Sequence, residues 1–396
     1  MASVPLHRRP QGTVAVALAS FASMFSVGTV YAVSVFQSEL PRLFSISNDR
    51  SYVPFGCASL GPAFGVVTCT PLKTLTSARI STAAGAITWG FAVFLAGHFL
   101  ALHSLEGVLA SFLLGGVGVG WTYLAVVVWI ADSLPAGSLA QNCNRSSGFS
   151  VLDASGLASV LKLGGLGLST VGLAVVLCVS SGRVSNENQL KGASTHATNE
   201  PTQKPHASTT TGKVPFLSTL FFFNALPGMT TFSAYSTTVA YYTHSNEYIL
   251  IGCLTALALG GVLSPTLLRS QIRPRIIFIA LFIARGLCLM AFAYISHPIL
   301  FVLAIVTVLF GHGVGFSVLP GILKANLAGD ESFSAQYGWV LTAWGVAGVV
   351  GSLVNAAFMA EAGDFRAVAL LLGATTVLFG VLLHSVPSLG GSCFGL

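Results

Sequence analysis

Long apolar runs separated by short polar stretches dominate the pattern along this chain of 396 residues. Most of these runs are continuous and match the roughly 20 apolar residues that a helix needs to cross a bilayer. A closed β-barrel would instead show alternating segments of about 10 residues. The pattern therefore predicts ten membrane-spanning helices, over residues 12–36, 52–71, 80–101, 107–131, 217–242, 248–268, 276–295, 299–323, 337–360 and 366–386.

A further apolar stretch covers residues 147–182, which is too long for one ordinary span and short for two. Gly164 and Gly165 provide a tight turn near its middle. Two short helices, over 147–163 and 166–182, would bring the predicted total to twelve. A single crossing is the alternative, and it would move every later loop to the opposite side of the membrane.

Residues 183–213 differ in kind, because Asn, Ser, Thr, Lys, Glu, His and Pro dominate them and they contain nothing to form a core. We expect a disordered cytoplasmic linker here. It would divide an N-terminal six-helix half, 1–182, from a C-terminal six-helix half, 214–396. The predicted fold class is an all-α polytopic membrane protein of two pseudo-symmetric six-helix bundles, with twelve transmembrane helices of which the fifth and sixth are short.

Internal similarity between the two halves supports a duplication. Leu113–Gly120 reads LLGGVGVG, and Leu309–Gly315, 196 residues later, reads LFGHGVG. A second pair of matching segments, beginning at Gly148 and Gly338, lies at a similar offset. Because both offsets are close to half the chain length, the pattern is typical of the internal repeats of transporters.

Composition supports the membrane assignment and narrows the possible partners. Only 8% of residues are charged, against roughly 25% in soluble domains, so most of the surface must face lipid. The net charge of +6 comes from basic residues scattered between apolar spans, and nucleic acid is therefore not an expected partner. The seven cysteines lack metal-ligand spacing, so we expect no disulfide framework, no metal and no cofactor.

The distribution of Lys and Arg orients the predicted helices. Placing the N-terminus in the cytoplasm puts most basic loop residues there, including Arg79, Arg145 and Arg273, as the positive-inside rule requires. Both termini are then cytoplasmic. Arg8 and Arg9 before an apolar run also resemble a signal peptide, but the run is long enough for a retained first helix. We expect a monomer that resides in the plasma membrane rather than in an organelle.

Three segments resemble the oxalate/formate antiporter and monocarboxylate-transporter-like branch of the major facilitator superfamily. They are TVYAVSVFQSEL (29–40), GVGVGWTYLAVVVWIADSLP (116–135) and YGWVLTAWGVAGVVGSL (337–353), and they match that branch's first, fourth and eleventh helices. The resemblance implies two six-helix halves and a central path lined by helices 1, 4, 7 and 10. It further implies a secondary transporter of small organic anions.

Departures from that family pattern also matter. The loops after the second and eighth predicted helices read PLKTLTSARIS and SPTLLRSQIRPR, and they lack the aspartate of the family's Gly-x-x-x-Asp-Arg-type motif. In oxalate-exchanging members, basic side chains in helices 8 and 11 attract the dicarboxylate. The span 248–268 has no basic residue and position 344 is Trp. We therefore do not expect oxalate to be the substrate.

Ionisable residues inside spans are costly and mark candidate functional sites. Asp153 is a candidate proton-coupling residue, although it could instead pair with Lys162 or Arg145. Arg285 can hold a carboxylate through two hydrogen bonds, or it can bond between helices, since the resemblance puts its helix at the periphery. His312 interrupts a Gly-rich run on the tenth span, and its imidazole can donate to a substrate oxygen.

Neutral polar residues on the helices that the resemblance identifies as lining the path complete the set of candidates. Tyrosine hydroxyls and an amide suit a small carboxylate or another polar solute, whereas tyrosines also populate the membrane interface. These candidate substrate-binding residues are Tyr31, Tyr123, Asn224 and Tyr235.

The resulting functional prediction is a secondary active transporter of small organic anions, with monocarboxylates as one candidate class and protons as a candidate coupling ion. No nucleotide-binding Gly-x-x-x-x-Gly-Lys-Ser/Thr loop occurs in the sequence, and neither does a His-Glu-x-x-His motif or a nucleophile elbow. We therefore do not expect an enzyme. The alternative is a non-transporting membrane receptor or scaffold derived from a transporter, which the missing loop aspartates favour.

Asp153→Asn tests the coupling hypothesis. Asparagine cannot carry a proton, so the variant in proteoliposomes should lose uphill uptake driven by a pH gradient while it retains substrate exchange. Unchanged uphill uptake would remove Asp153 from the mechanism.

Overall fold

The computed structural model describes residues 28–75, 77–133, 213–243, 247–269, 273–326, 330–359 and 364–385. All regular secondary structure within these residues is helical. The predicted short helices in 147–182 and nearly all of the predicted linker, 183–213, lie outside the described residues.

The first part of the described chain, within residues 28–133, begins with a long 3-10 helix that leads into a short α-helix, and it continues with three long α-helices. A 3-10 helix, Thr29–Glu39, runs directly into α1, and a second 3-10 helix, Asn48–Tyr52, precedes α2. The α-helices are α1 (Leu40–Phe44), α2 (Val53–Leu75), α3 (Ala78–Ala101) and α4 (Leu105–Ser133).

The second part of the described chain, within residues 213–385, contains seven α-helices, of which only the second is short. They are α5 (Lys213–Ser233), α6 (Tyr235–Tyr242), α7 (Glu247–Arg269), α8 (Pro274–Ile295), α9 (Pro298–Asn326), α10 (Asp330–Phe358) and α11 (Arg366–Ser385).

Seven helices within the described residues are long and apolar enough to cross a membrane. Their outward faces carry large apolar side chains, such as Phe94 of α3 and Tyr294 of α8. Those side chains would be unfavourable in water and suit contact with lipid. The chain is accordingly an integral membrane protein that is helical throughout its described elements, and the predicted spans from residue 52 to 131 and from 248 onwards are confirmed as helices.

The prediction of one continuous helix over 217–242 is wrong, because the helix breaks at Ala234 between α5 and α6. Pro227 lies inside α5 and removes one backbone donor. The hydroxyls of Thr230 and Thr231 bond to the carbonyls of the residues four positions earlier, which weakens a helix locally. Because all of these side chains fit an apolar span, the apolar pattern alone does not reveal the break.

Glycines bring pairs of helices into backbone contact in both parts of the chain. In the first part, a Cβ at Gly116 of α4 would lie 2.6 Å from the carbonyl oxygen of Ala58 on α2. In the second, a Cβ at Gly313 of α9 would collide with the carbonyl oxygen of Leu257 on α7. The similar segments LLGGVGVG and LFGHGVG thus have the same packing role, which is typical of small residues between membrane helices.

Helix α10 joins the two parts by packing against both α2 and α5. A Cβ at Gly345 would lie 2.6 Å from the carbonyl oxygen of Ser59 on α2, and one at Gly351 would lie 2.6 Å from Oγ1 of Thr230 on α5. Where α2 begins and α10 ends, the hydroxyl of Tyr52 donates to the sulfur of Met359 over 3.1 Å. The contact surface between the two parts is therefore formed largely on α10.

An ion pair fixes the start of α11 next to the end of α6. Arg366 donates to both oxygens of the Asp364 carboxylate, and the hydroxyl of Tyr242 donates to the same carboxylate over 2.9 Å. The hydrogen bonds from Arg366 lower the pKa of Asp364 to about 2, with Tyr242 contributing in the same direction. The carboxylate therefore stays ionised at any physiological pH.

Gly260→Ala tests the importance of the backbone contact between α7 and α9. The added methyl group would collide with the carbonyl oxygen of Phe310, and we expect a loss of about 1–3 kcal/mol of stability through overpacking. Thermal unfolding in detergent measures it. Gly252→Ala on the same helix is the matched control, because that position is exposed and open, so its Tm should stay constant or rise slightly. Equal Tm values for both variants would contradict the prediction.

Candidate functional site

Arg285 lies on α8 and is completely buried. Its side chain passes over Gly311 of α9 and reaches Asn224 on α5. There Nη1 donates to the side-chain oxygen of Asn224 and Nη2 to the backbone carbonyl of the same residue, both over 2.8 Å. One guanidinium thus connects three helices.

No carboxylate lies within ion-pair distance of Arg285 among the described residues. The guanidinium also contacts the ring of Phe282, whose centroid lies 5.7 Å from the guanidinium carbon. A buried charge costs several kcal/mol in a low-dielectric interior unless it is compensated. Two bonds to neutral acceptors and one aromatic face offset that cost only partly.

Asn224 and His312 are seated on glycines of the facing helix in a reciprocal arrangement. The side-chain amide of Asn224, on α5, packs directly on Gly315 of α9. The imidazole of His312, on α9, packs on Gly228 of α5, where a Cβ would lie 2.5 Å from Nδ1. Since neither glycine has a side chain, both polar groups fit at the centre of the helix contact.

The polar cluster of Arg285, Asn224 and His312 carries several donors without partners. Nε of Arg285 and Nδ2 of Asn224 make no hydrogen bond within the described part of the chain. Neither ring nitrogen of His312 makes one of normal geometry there, although the backbone of Asn224 and Ala225 faces the ring. Each buried donor without a partner costs about 1–3 kcal/mol. The cluster therefore favours a group that supplies acceptors.

A closed circuit of five aromatic rings lies beside this polar cluster. His312 contacts Phe316 at 4.9 Å between ring centroids and Phe232 at 6.5 Å. Phe232 stacks on Tyr31 at 4.3 Å. Trp344 closes the circuit through T-shaped contacts with Tyr31 and with Phe316. These rings come from the 3-10 helix Thr29–Glu39 and from α5, α9 and α10, so both parts of the chain contribute.

Two tyrosines extend the aromatic circuit toward the end of the bundle at which α4 terminates. Tyr123 of α4 contacts Phe316 edge-on, with 5.9 Å between ring centroids. Its hydroxyl lies 3.3 Å from the hydroxyl of Tyr337 on α10, in a hydrogen bond between the two parts of the chain. Both rings are buried. This bond joins the two parts on one side of the circuit, and the Tyr52–Met359 contact joins them elsewhere.

The break between α5 and α6 lies directly after Phe232 of the circuit. Asn355 of α10 donates to the carbonyl of Thr230 over 2.9 Å and to the hydroxyl of Ser233. It thereby adds a second donor to a carbonyl at the end of α5 that already accepts from the hydroxyl of Ser233 over 3.1 Å. Interrupted helices within a membrane need such partners, because no water is present to replace the missing bonds.

The candidates predicted from sequence are largely brought together. Asn224, Arg285 and His312 form the polar cluster, while Tyr31 and Tyr123 contact the aromatic circuit. Tyr235 is buried at the start of α6, near Cys253 of α7. Asp153, the candidate proton carrier, lies outside the described residues.

Several residues of the site are not identified from the sequence. Phe232, Phe316 and Tyr337 resemble ordinary apolar core residues in the pattern, and Asn355 stands in a stretch of small residues. Trp344 stands out in the sequence only as a departure from a family pattern. The one usable signal is position, because all five lie on predicted spans that also hold a predicted candidate or a resembling segment.

Comparison with known proteins finds no protein-family model that matches the chain and no curated protein that matches its sequence. The described residues hold no group of three or more His, Cys, Asp or Glu side chains placed to bind a metal ion. The chemistry of the site therefore has to be argued from the residues themselves.

Asn355→Ala tests the support of the helix break. The variant leaves the carbonyl of Thr230 without its partner on α10, and we expect about 1–3 kcal/mol lower stability and a lower Tm. Ser352→Ala is the matched control, since Ser352 is also buried on α10 and its hydroxyl has no partner within the described residues. A Tm for Asn355→Ala as high as that of the control would contradict the interpretation.

Proposed function

We propose that this protein is a secondary active transporter of small organic anions, of the major facilitator type, with monocarboxylates as the leading substrate class. The single observation that carries the proposal is the polar cluster of Arg285, Asn224 and His312. It offers buried donors, one fixed positive charge and no carboxylate within the described residues. A carboxylate group supplies the charge and the acceptors that the cluster lacks.

The aromatic circuit supports an organic rather than an inorganic anion. Phe232, Phe316 and Trp344 present apolar faces, and the hydroxyl of Tyr31 belongs to the same circuit. Sites for small molecules are mostly apolar, with a few polar groups that set orientation. A carboxylate at Arg285 and a short hydrocarbon part against the rings would use both surfaces.

Convergence of the resembling segments supports the transporter class. Segment 29–40 contains Tyr31, segment 116–135 contains Tyr123, and segment 337–353 contains Tyr337 and Trp344. These side chains contact one another or the same ring, Phe316. A midplane site between two groups of helices is what alternating access requires, because each group must release the substrate when they rock apart.

Uptake of radiolabelled monocarboxylates into proteoliposomes tests the proposal, with Arg285→Gln as the key variant. Glutamine keeps hydrogen-bonding capacity but removes the charge, so the KM for the anion should rise about tenfold or more. Arg275→Gln is the matched control. Arg275 is also a buried arginine of α8, but it donates to the backbone of Leu383 at the end of α11, away from the cluster.

Three results of this experiment would count against the proposal. An equal KM change in both variants would show that arginine loss acts through general destabilisation. Anion-dependent thermal stabilisation without any flux would favour the receptor alternative. If no carboxylate either stabilises the protein or is transported, an organic anion is excluded as the ligand.

A further inference from the structure

Two glycines of α9, one helical turn apart, create the space in which the polar cluster is assembled. A Cβ at Gly311 would collide with Cδ of Arg285 and lie 2.9 Å from Nη1. A Cβ at Gly315 would collide with the side-chain amide of Asn224. Residues four apart lie on the same helix face, so the two open positions form one groove across α9.

One of these two open positions has a counterpart in the first part of the chain, where a different side chain fills the space, whereas the residue equivalent to Gly315 is Val119. A Cβ at Gly115 of α4 would lie 2.6 Å from the indole ring of Trp89 on α3. Gly115 and Gly311 are 196 residues apart, and so are Trp89 and Arg285, which is the offset of the sequence repeat. Position and packing therefore correspond, while an apolar ring in one part is replaced by a guanidinium in the other.

This correspondence separates two roles that a glycine can have on α9. Gly313 allows the backbones of α9 and α7 to meet, since its Cβ would collide with the carbonyl of Leu257. Gly311 and Gly315 face polar side chains instead. Arg285 starts on α8 and must pass α9 to reach Asn224 on α5, and a side chain at position 311 would block that route.

We propose that Gly311 and Gly315 are positioning residues of the anion site, and that they act by admitting Arg285 and Asn224 to the contact between α5 and α9. This inference rests on the proposed function. It makes the positive charge of the site a property of the second part of the chain alone, because Trp89 occupies the position equivalent to Arg285 in the first part. The site then holds one carboxylate group at a single guanidinium and has no matching cation across the repeat.

The effect of a substitution at Gly311 on anion affinity distinguishes a positioning role of this glycine from a role in packing alone. Alanine at position 311 forces the guanidinium away from Asn224, so the variant loses the hydrogen bonds at 2.8 Å as well as some packing. The effect on anion affinity must therefore depend on the presence of Arg285. A purely structural effect would be the same with or without the arginine.

The experiment compares Gly311→Ala, Gly313→Ala and Gly321→Ala, all on α9, by carboxylate uptake and by thermal unfolding. Gly311→Ala should raise KM about tenfold with little change in kcat, as Arg285→Gln does. Gly313→Ala should lower Tm but leave the KM of the folded protein unchanged. Gly321→Ala, where nothing lies within 4 Å of an added Cβ, should change neither value.

The double variant Gly311→Ala/Arg285→Ala, set beside Arg285→Ala, gives the decisive comparison, because alanine removes the Cδ that a methyl group at position 311 would meet. If Gly311 acts through the arginine, the double variant has the KM and the Tm of Arg285→Ala alone. Effects that add in full, or a KM change in Gly313→Ala equal to that in Gly311→Ala, would overturn the inference.

The Tm comparison also distinguishes failure of this inference from failure of the proposed function. If the natural protein neither carries nor is stabilised by carboxylates, the proposed function fails. The Tm of the double variant would still report whether Gly311 acts through Arg285. Non-additive Tm losses would then support the positioning role, and additive losses would overturn it.

Discussion

Direct contact between helix backbones at glycine is the constraint on which the rest of this structure depends. Lipid is as apolar as the side chains, so membrane helices gain little from burying apolar surface and associate instead through close packing and hydrogen bonds. Here Gly116 brings α4 onto α2, and Gly313 brings α9 onto α7. On α9, Gly311 leaves the space through which the side chain of Arg285 passes from α8 to Asn224 on α5. A charged residue on a helix packed against α9 and α11 thereby reaches the contact between α5 and α9.

The energetics of the polar cluster follow from this geometry. A guanidinium without a carboxylate among the described residues, beside donors without partners, is an unfavourable arrangement for an interior that has only to be stable. The surrounding packing must hold it in place, and Gly228, Gly311 and Gly315 leave just the space that the side chains of His312, Arg285 and Asn224 fill. Such local cost is expected at positions where function, rather than stability, determines the residue.

The sequence predicts the helices and only part of the site, for identifiable reasons. Run length and the near absence of charge mark spans such as 299–323 without reference to neighbours. The break at Ala234 escapes because Thr230, Thr231 and Ser233 are compatible with an apolar span, and the residue that stabilises the break, Asn355, lies more than 120 positions later. Arg285 is identified by its charge, but its partner is not, since which helix faces it depends on crossing geometry that no local pattern encodes.

The two similar segments of the sequence, LLGGVGVG and LFGHGVG, show how a polar side chain can occupy a position in one part of the chain that holds an apolar ring in the other. Gly115 and Gly311 keep the same space open, so the residue that fills it is free to change without disturbing the contacts of α4 or α9 with their neighbours. Trp89 fills the space with apolar volume and needs no partner at its far end. Arg285 extends further and has two donors there, which makes an acceptor at position 224 necessary, whereas position 28, at the same offset in the first part, is glycine. The polar cluster therefore consists of an arginine at a position that holds Trp89 in the first part, together with the acceptor that this arginine requires.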